Sequence, residues 1–322
     1  MKKILFFVLV TALLVVSACN NTPKGPDASG TFIGGNEGVK INFAQDAPPA
    51  TIADNNQQSF DIVVEMNNKG EYTVPNNDAT VKISGIPPDA FGVSKSDFEK
   101  NPPEDLSSRI KNPDGNIIEP ATIQTDFSGL EYQYQEPGNQ ELPIRAEICY
   151  GYQTDISSKL CIKEKMTSTA KEDICQVNGN LDVASSGAPV QITKITQSGA
   201  GVDKTRFTFT IANVDTGKVF KDDSTCDETV YNDKNKVFVQ INDLLDRGAS
   251  KVDCTGLQGI SATDASSGYV TLNGGTPRDV SCTATFPEGQ RTNRLQPFSI
   301  TLKYKYWEYI DSKVLVQYTP KD

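Results

Sequence analysis

Phe60-Asp61-Ile62-Val63-Val64-Glu65-Met66, followed at once by Asn67-Asn68-Lys69-Gly70, is the stretch whose reading decides the fold. Successive strand side chains point to opposite faces, so Phe60, Ile62, Val64 and Met66 share one side while Asp61, Val63 and Glu65 share the other. The Asn- and Gly-bearing tetrapeptide then turns the chain. This predicts a half-buried strand in a layered β structure, one face on a core and one toward water.

The device returns later. Phe207, Phe209 and Ile211 alternate with Thr208 and Thr210 and end at Asp215-Thr216-Gly217, an offset of 147 when the leading phenylalanines are aligned. A second echo sets Tyr150-Gly151-Tyr152 and Ser158-Lys159 against Tyr304-Lys305-Tyr306 and Ser312-Lys313, at an offset of 154. Two echoes in the same order predict two copies of one β-domain, residues 31–166 and 167–322.

Further short β-rich runs are expected at 38–43, 80–83, 123–127, 131–135, 190–196, 236–241, 252–257, 269–272 and 280–286. Residues 144–152 and 159–163 are expected to fold into a hairpin about Asp155, and 298–307 and 313–318 to be the last two strands. Strands this frequent, separated by turn residues, predict an all-β fold of two tandem immunoglobulin-like β-sandwiches. Within the first of them residues 87–121 form a polar insertion broken by Pro87-Pro88, Pro102-Pro103, Pro113 and Pro120. Loops on rigid sheets commonly carry function, so Phe91 and Phe98 are expected there as exposed partner contacts.

The N-terminal segment predicts location. Lys2 and Lys3 precede an uncharged run from Ile4 to Ala18, and Val16-Ser17-Ala18 places small residues directly before Cys19. That order reads as a signal peptide over residues 1–18, with Cys19 as a lipid-attachment site. The run is shorter than the roughly 20 residues a spanning helix needs. Residues 19–30, polar and Pro/Gly-bearing, read as the lipidated cysteine and a tether. The expected place is therefore outside the cytoplasm, anchored by lipid to the cell membrane or surface.

The composition narrows the chemistry. Among 322 residues there are 31 Lys and Arg against 41 Asp and Glu, a net charge of −10 that falls to near −12 once Lys2 and Lys3 leave with the signal. Such a chain repels polyphosphate, which argues against nucleic acid as a partner. There is no histidine, so Ser-His-Asp and Cys-His catalysis and His-ligated metals are excluded. With Cys19 given to lipid, six cysteines remain: Cys149, Cys161, Cys175, Cys226, Cys254 and Cys282. No close Cys pair or histidine supports zinc, so three disulfides are expected. The hairpin places Cys149 opposite Cys161; Cys254 and Cys282 sit on neighbouring strand pairs, leaving Cys175 for Cys226.

Other motifs are weaker. Ser108-Arg109-Ile110-Lys111 has the Ser-x-x-Lys form of penicillin-recognising enzymes but lacks their Ser-Asp-Asn and Lys-Thr-Gly companions. Asp222, Asp223 and Asp227 lie in the densest acidic stretch and are the candidates for a calcium site, although their spacing is not that of an EF-hand. Tyr304, Tyr306, Trp307 and Tyr309 form the densest aromatic run, a candidate sugar platform or, more plainly, sheet core.

An alternating strand closed by Asx-x-Gly resembles the immunoglobulin-like modules called CARDB domains, in which a strand ends in an Asn-x-Gly turn. Asn68-Lys69-Gly70 fits; Asp215-Thr216-Gly217 departs at its first residue. With the cysteine motif at residue 19, the layout also resembles surface lipoproteins of small-genome archaea. The resemblance implies a cell-surface, non-catalytic role in display, adhesion or protein contact, without a cofactor. The alternatives are a carbohydrate- or calcium-binding surface module, or an accessory subunit of a secretion or surface-filament assembly.

Overall fold

The computed structural model describes residues 30–168, 174–259 and 265–320. Cys19, the expected signal peptide and nearly all of the tether lie outside them. Within the described residues the chain is all-β, with short 3-10 turns and no α-helix.

Strand Ser59–Asn68 forms as its alternation predicts. Phe60, Ile62, Val64 and Met66 are buried, and the strand sits between Val39–Phe43 and Ile123–Glu131 in a three-stranded antiparallel sheet. Strand Lys204–Asn213 buries Phe207, Phe209 and Ile211 in the same manner. It is the middle member of a five-stranded sheet ordered Gly179–Leu181, Val190–Gly199, Lys204–Asn213, Arg278–Thr285, Lys251–Thr255.

A third, larger sheet is built on two long strands, Gln140–Ile162 and Arg294–Gln317. They pair antiparallel from Arg294 opposite Ile162 to Val316 opposite Gln140. Ala79–Ser84 and then Glu99–Lys100 extend it on one side, and Lys236–Asn242 and Ser267–Thr271 on the other. Two sequence expectations are corrected here: there is no hairpin about Asp155, and the runs expected as the last two strands, 298–307 and 313–318, are joined in the one strand Arg294–Gln317. The reason is local. Gln153-Thr154-Asp155 contains neither glycine nor proline to force a turn, and Thr154 continues the inward alternation between Tyr152 and Ile156. Its buried hydroxyl is satisfied by donating to the Val190 carbonyl at 2.7 Å.

The two smaller sheets pack on the inner face of the long strands. Tyr150 and Tyr152 meet the three-stranded sheet, and Thr154 and Tyr304 meet the five-stranded one. All four tyrosine rings of the two echoes, at 150, 152, 304 and 306, are buried. The Tyr150 hydroxyl accepts from the Val39 amide at 3.0 Å, and that of Tyr304 from the Val190 amide at 3.2 Å. The Tyr152 hydroxyl donates to Asn68 Oδ1 and that of Tyr306 to Asn213 Oδ1, both at 3.0 Å. Burial pushes all four phenols well above their usual range.

Asn68 and Asn213 are thus equivalent. Each donates Nδ2 to the carbonyl four residues on, Tyr72 or Gly217, and accepts from the amide two residues on, Gly70 or Asp215. The offset between them is 145, not 147. The phenylalanine alignment was one alternation step out, because β strands repeat every two residues and a two-residue slip preserves the inward face.

The six cysteines form three disulfides: Cys149–Cys226, Cys161–Cys175 and Cys254–Cys282. Only the last matches the expected pairings. With the hairpin gone, Cys149 and Cys161 lie twelve positions apart on one extended strand and cannot meet. Cys254 and Cys282 are directly opposite on neighbouring strands.

Candidate functional site

On the outer face of the large sheet lies an open cleft of about 1130 Å³. Strand parity builds its floor. Inward residues of Gln140–Ile162 are even-numbered, so Arg145, Glu147 and Cys149 face out. Register then sets Tyr309 opposite Glu147 and Trp307 opposite Cys149 on the second long strand, with Thr80 and Lys82 alongside on Ala79–Ser84. On the other flank, Lys218 pairs with Trp307 from the short strand Lys218–Phe220.

The segment after that strand folds over the sheet and is pinned by the Cys149–Cys226 bond. Phe220, Cys226 and Trp307, with Cys149, form a small apolar cluster separate from the main core. Trp307 is 7% exposed, whereas Tyr309 beside it is 46% exposed, their rings 5.1 Å apart. Cations cover both rings. The Arg145 guanidinium lies 4.0 Å from the Tyr309 centroid, and the Lys218 ammonium 4.6 Å from that of Trp307. Contacts of this kind contribute about 0.5–1 kcal/mol at exposed sites.

The carboxylates of the cleft are engaged. Glu147 accepts from Trp307 Nε1 at 3.3 Å and from the Ser84 hydroxyl. Asp78 pairs with Lys305, Glu228 with Lys218, and Glu99 with Lys82. Asp227 accepts from the amide and hydroxyl of Thr229, which hold its carboxyl below the usual range.

Behind the floor, Glu308 points inward. Lys40 of the three-stranded sheet reaches it at 2.9 Å and also reaches Asp215, which follows strand Lys204–Asn213, at 2.6 Å. One ammonium therefore joins all three sheets. Burial, added to by the Asp215 charge and only partly offset by Lys40, pushes the Glu308 carboxyl up to about 7. Lys40 is raised in turn: burial works against its charge, but the two carboxylates outweigh that.

The expected site residues lie elsewhere or act otherwise. Phe91 and Phe98, expected on the surface, are 1% and 2% exposed. The insertion is ordered by two 3-10 turns, Pro88–Phe91 and Lys95–Phe98, that tuck these rings into the core. Asp222, Asp223 and Asp227 do not converge: Asp222 accepts from the Tyr269 hydroxyl, Asp223 pairs with Lys221, and Asp227 turns to Thr229. Among the described residues no group of three potential metal ligands forms. Tyr304 and Tyr306 are core, so no exposed platform includes them. Lys111 lies in a short strand, not on the helix that the Ser-x-x-Lys chemistry requires. Arg145, Glu147 and Lys218 escaped the sequence reading; their only signal is outward parity on strands whose length was not recognised.

No family model matches this chain and no curated protein matches it. Among solved structures it is similar to the collagen-binding domain of Erysipelothrix rhusiopathiae surface protein RspB, with 14% identity over 89% of this chain and 91% of that one. The TM-score is 0.09, and at that value the likeness carries no argument about fold or ligand. What stands on the chain's own evidence is an all-β, sandwich-packed protein with three disulfides. Disulfides of this kind suit an oxidising, extracytoplasmic setting.

Proposed function

We propose that this is a non-catalytic, extracytoplasmic binding protein, held to a membrane by lipid on Cys19 and presenting the cleft beside Cys149–Cys226 to a protein partner. The observation that carries the reading is the cleft floor, where half-exposed Tyr309 adjoins Trp307 with Arg145 and Lys218 on their flanks. Tyr, Trp and Arg dominate the energetics of protein contacts. Here they stand on disulfide-braced strands, so little freedom is lost when a partner docks. The absence of histidine and the engagement of each cleft carboxylate named above support a role without catalysis. A durable anchor calls for two acyl chains at the cysteine.

The halves 31–166 and 167–322 are read as two copies of one immunoglobulin-like sandwich joined through the long strands. The matching Asn68–Tyr152 and Asn213–Tyr306 bonds support that reading.

The test compares the full chain with the double variant Tyr309→Ala, Arg145→Ala, first confirming that both melt alike. A partner retained from the protein's own cell-envelope extract should be retained roughly tenfold less by the variant. Unchanged retention would remove the cleft from the account. Mass spectrometry of Cys19 tests the anchor, which an unmodified, uncleaved N-terminus would rule out.

A further inference from the structure

Within the insertion, Ile110–Lys111 and Ile117–Ile118 form a two-stranded ribbon outside the three main sheets. Its turn is well specified: Asn112 accepts from the Gly115 amide at 2.9 Å, and its side chain accepts from the Asn116 amide at 2.8 Å. Gly115, at φ +86, supplies the left-handed residue the turn needs. Ile110 is opposite Ile118 and Lys111 opposite Ile117, so one face of the ribbon carries an isoleucine pair. That pair has no core to cover it. Ile110, Ile117 and Ile118 are 53%, 47% and 48% exposed, and an isolated ribbon gains little from displaying them to water.

The base of the ribbon lies where the chain enters the fold. Arg109 donates its amide to the Gly70 carbonyl and its guanidinium to Lys69 and Glu119. The next residue, Glu71, receives the amides of Ile33 and Gly34 at 2.9 and 2.8 Å. Residues 33 and 34, the site of chain entry, are thus one hydrogen-bonded step from the ribbon. Cys19 to Ser29, eleven residues, cover at most roughly 40 Å. Each strand of the ribbon is two residues long, roughly 7 Å of extended chain before the turn.

We propose that the Ile110/Ile118 face of this ribbon rests in the membrane interface, so that the protein is held at two points and its cleft is oriented. The inference rests on the lipid anchor at Cys19 proposed above. The chemistry fits a lipid surface. Ile110 and Ile118 enter the acyl boundary, Lys111 and Ile117 on the opposite face stay among headgroups and water, and Glu119 stays neutralised by Arg109. Asp114 at the turn keeps the tip out of hydrocarbon, so the ribbon lies on its side.

The test uses the full lipidated chain in phosphatidylcholine vesicles whose acyl chains are brominated, with tryptophan as the depth probe. Ile118→Trp is compared with Tyr231→Trp, at a side chain that is 81% exposed in the 3-10 turn Tyr231–Asp233, outside the ribbon. Native Trp307 is a constant background. Quenching at position 118 should exceed that at 231 roughly threefold, and adding Ile110→Asp should remove the excess while the protein still floats with the vesicles. Equal quenching at the two positions in floating protein overturns the ribbon contact and leaves the anchor standing. Protein that does not float overturns both. Shielding of position 118 from aqueous iodide only when an envelope protein is added assigns the face to a protein partner and overturns the membrane contact.

Discussion

At Lys40, Asp215 and Glu308 one cation serves two carboxylates in the seam between the sheets. Nothing in the sequence singles out Glu308, which stands between Trp307 and Tyr309. The parity of Tyr304 and Tyr306 sends it inward, and that parity is visible only once the strand is known to continue. A carboxyl raised from 4.5 to about 7 favours folding fully below pH 4.5, where it is protonated in both states. That contribution is lost as pH rises through 7. Lys40, raised above 10.5, holds its contribution throughout this window and does not oppose the loss. Glu308→Gln should therefore flatten the stability profile between pH 4.5 and 7 and stabilise the protein at pH 8, by at most about 3 kcal/mol. Thermal melts across that range check it. A variant less stable than the parent at pH 8 would show that the charged Glu308 is a net benefit.

Among the elements, Ser59–Asn68 and its turn were legible because one face is buried and the other wet, the condition under which alternation is cleanest. Asn68-Lys69-Gly70 was read as a turn, and the structure adds why its glycine is needed. A Cβ on Gly70 would lie 2.0 Å from the Tyr152 hydroxyl, 2.5 Å from the Gly187 carbonyl and 2.7 Å from that of Glu37. Two of these neighbours are backbone and cannot swing away, so Gly70→Ala should cost about 3 kcal/mol. Denaturant titration measures it; a cost below about 0.5 kcal/mol, that of an ordinary surface substitution, would mean the turn is less tightly packed than described. The long strands were not legible for a related reason. Thr154 occupies an inward position because Val190 needs a donor there, and a polar residue in an inward slot reads in sequence as a break. Phe91 and Phe98 misled in the opposite sense: apolar residues in a Pro-rich stretch looked displayed, whereas 3-10 turns fold them inward.

For the whole molecule, all-β layering followed from periodicity, but the joining of the halves did not, because it depends on pairing between residues some 150 positions apart. Two of the three cysteine pairings differ for the same reason, being a property of the assembled sheet and not of spacing, while Cys254–Cys282 was legible from neighbouring strands. Under the chain-entropy view, a bond closing a longer loop restrains the unfolded chain more. Cys149–Cys226 spans 77 residues and Cys161–Cys175 spans 14. Replacing the first pair by serine should cost about 4 kcal/mol and the second about 3. The first should also weaken partner retention, because it frees the segment that walls the cleft. Calorimetry of the two variants tests the order; equal losses would point to strain or residual structure outweighing loop entropy.

The cleft, its bracing and the continuous long strands all require Cys149 to reach across to Cys226. Non-reducing peptide mapping of the natural protein, isolated without exposure to thiols, addresses this directly. It should yield a cross-linked peptide joining Cys149 to Cys226, with Cys161 joined to Cys175 and Cys254 to Cys282. A Cys149–Cys161 peptide would restore a hairpin at Asp155 and contradict the central sheet, and with it the site.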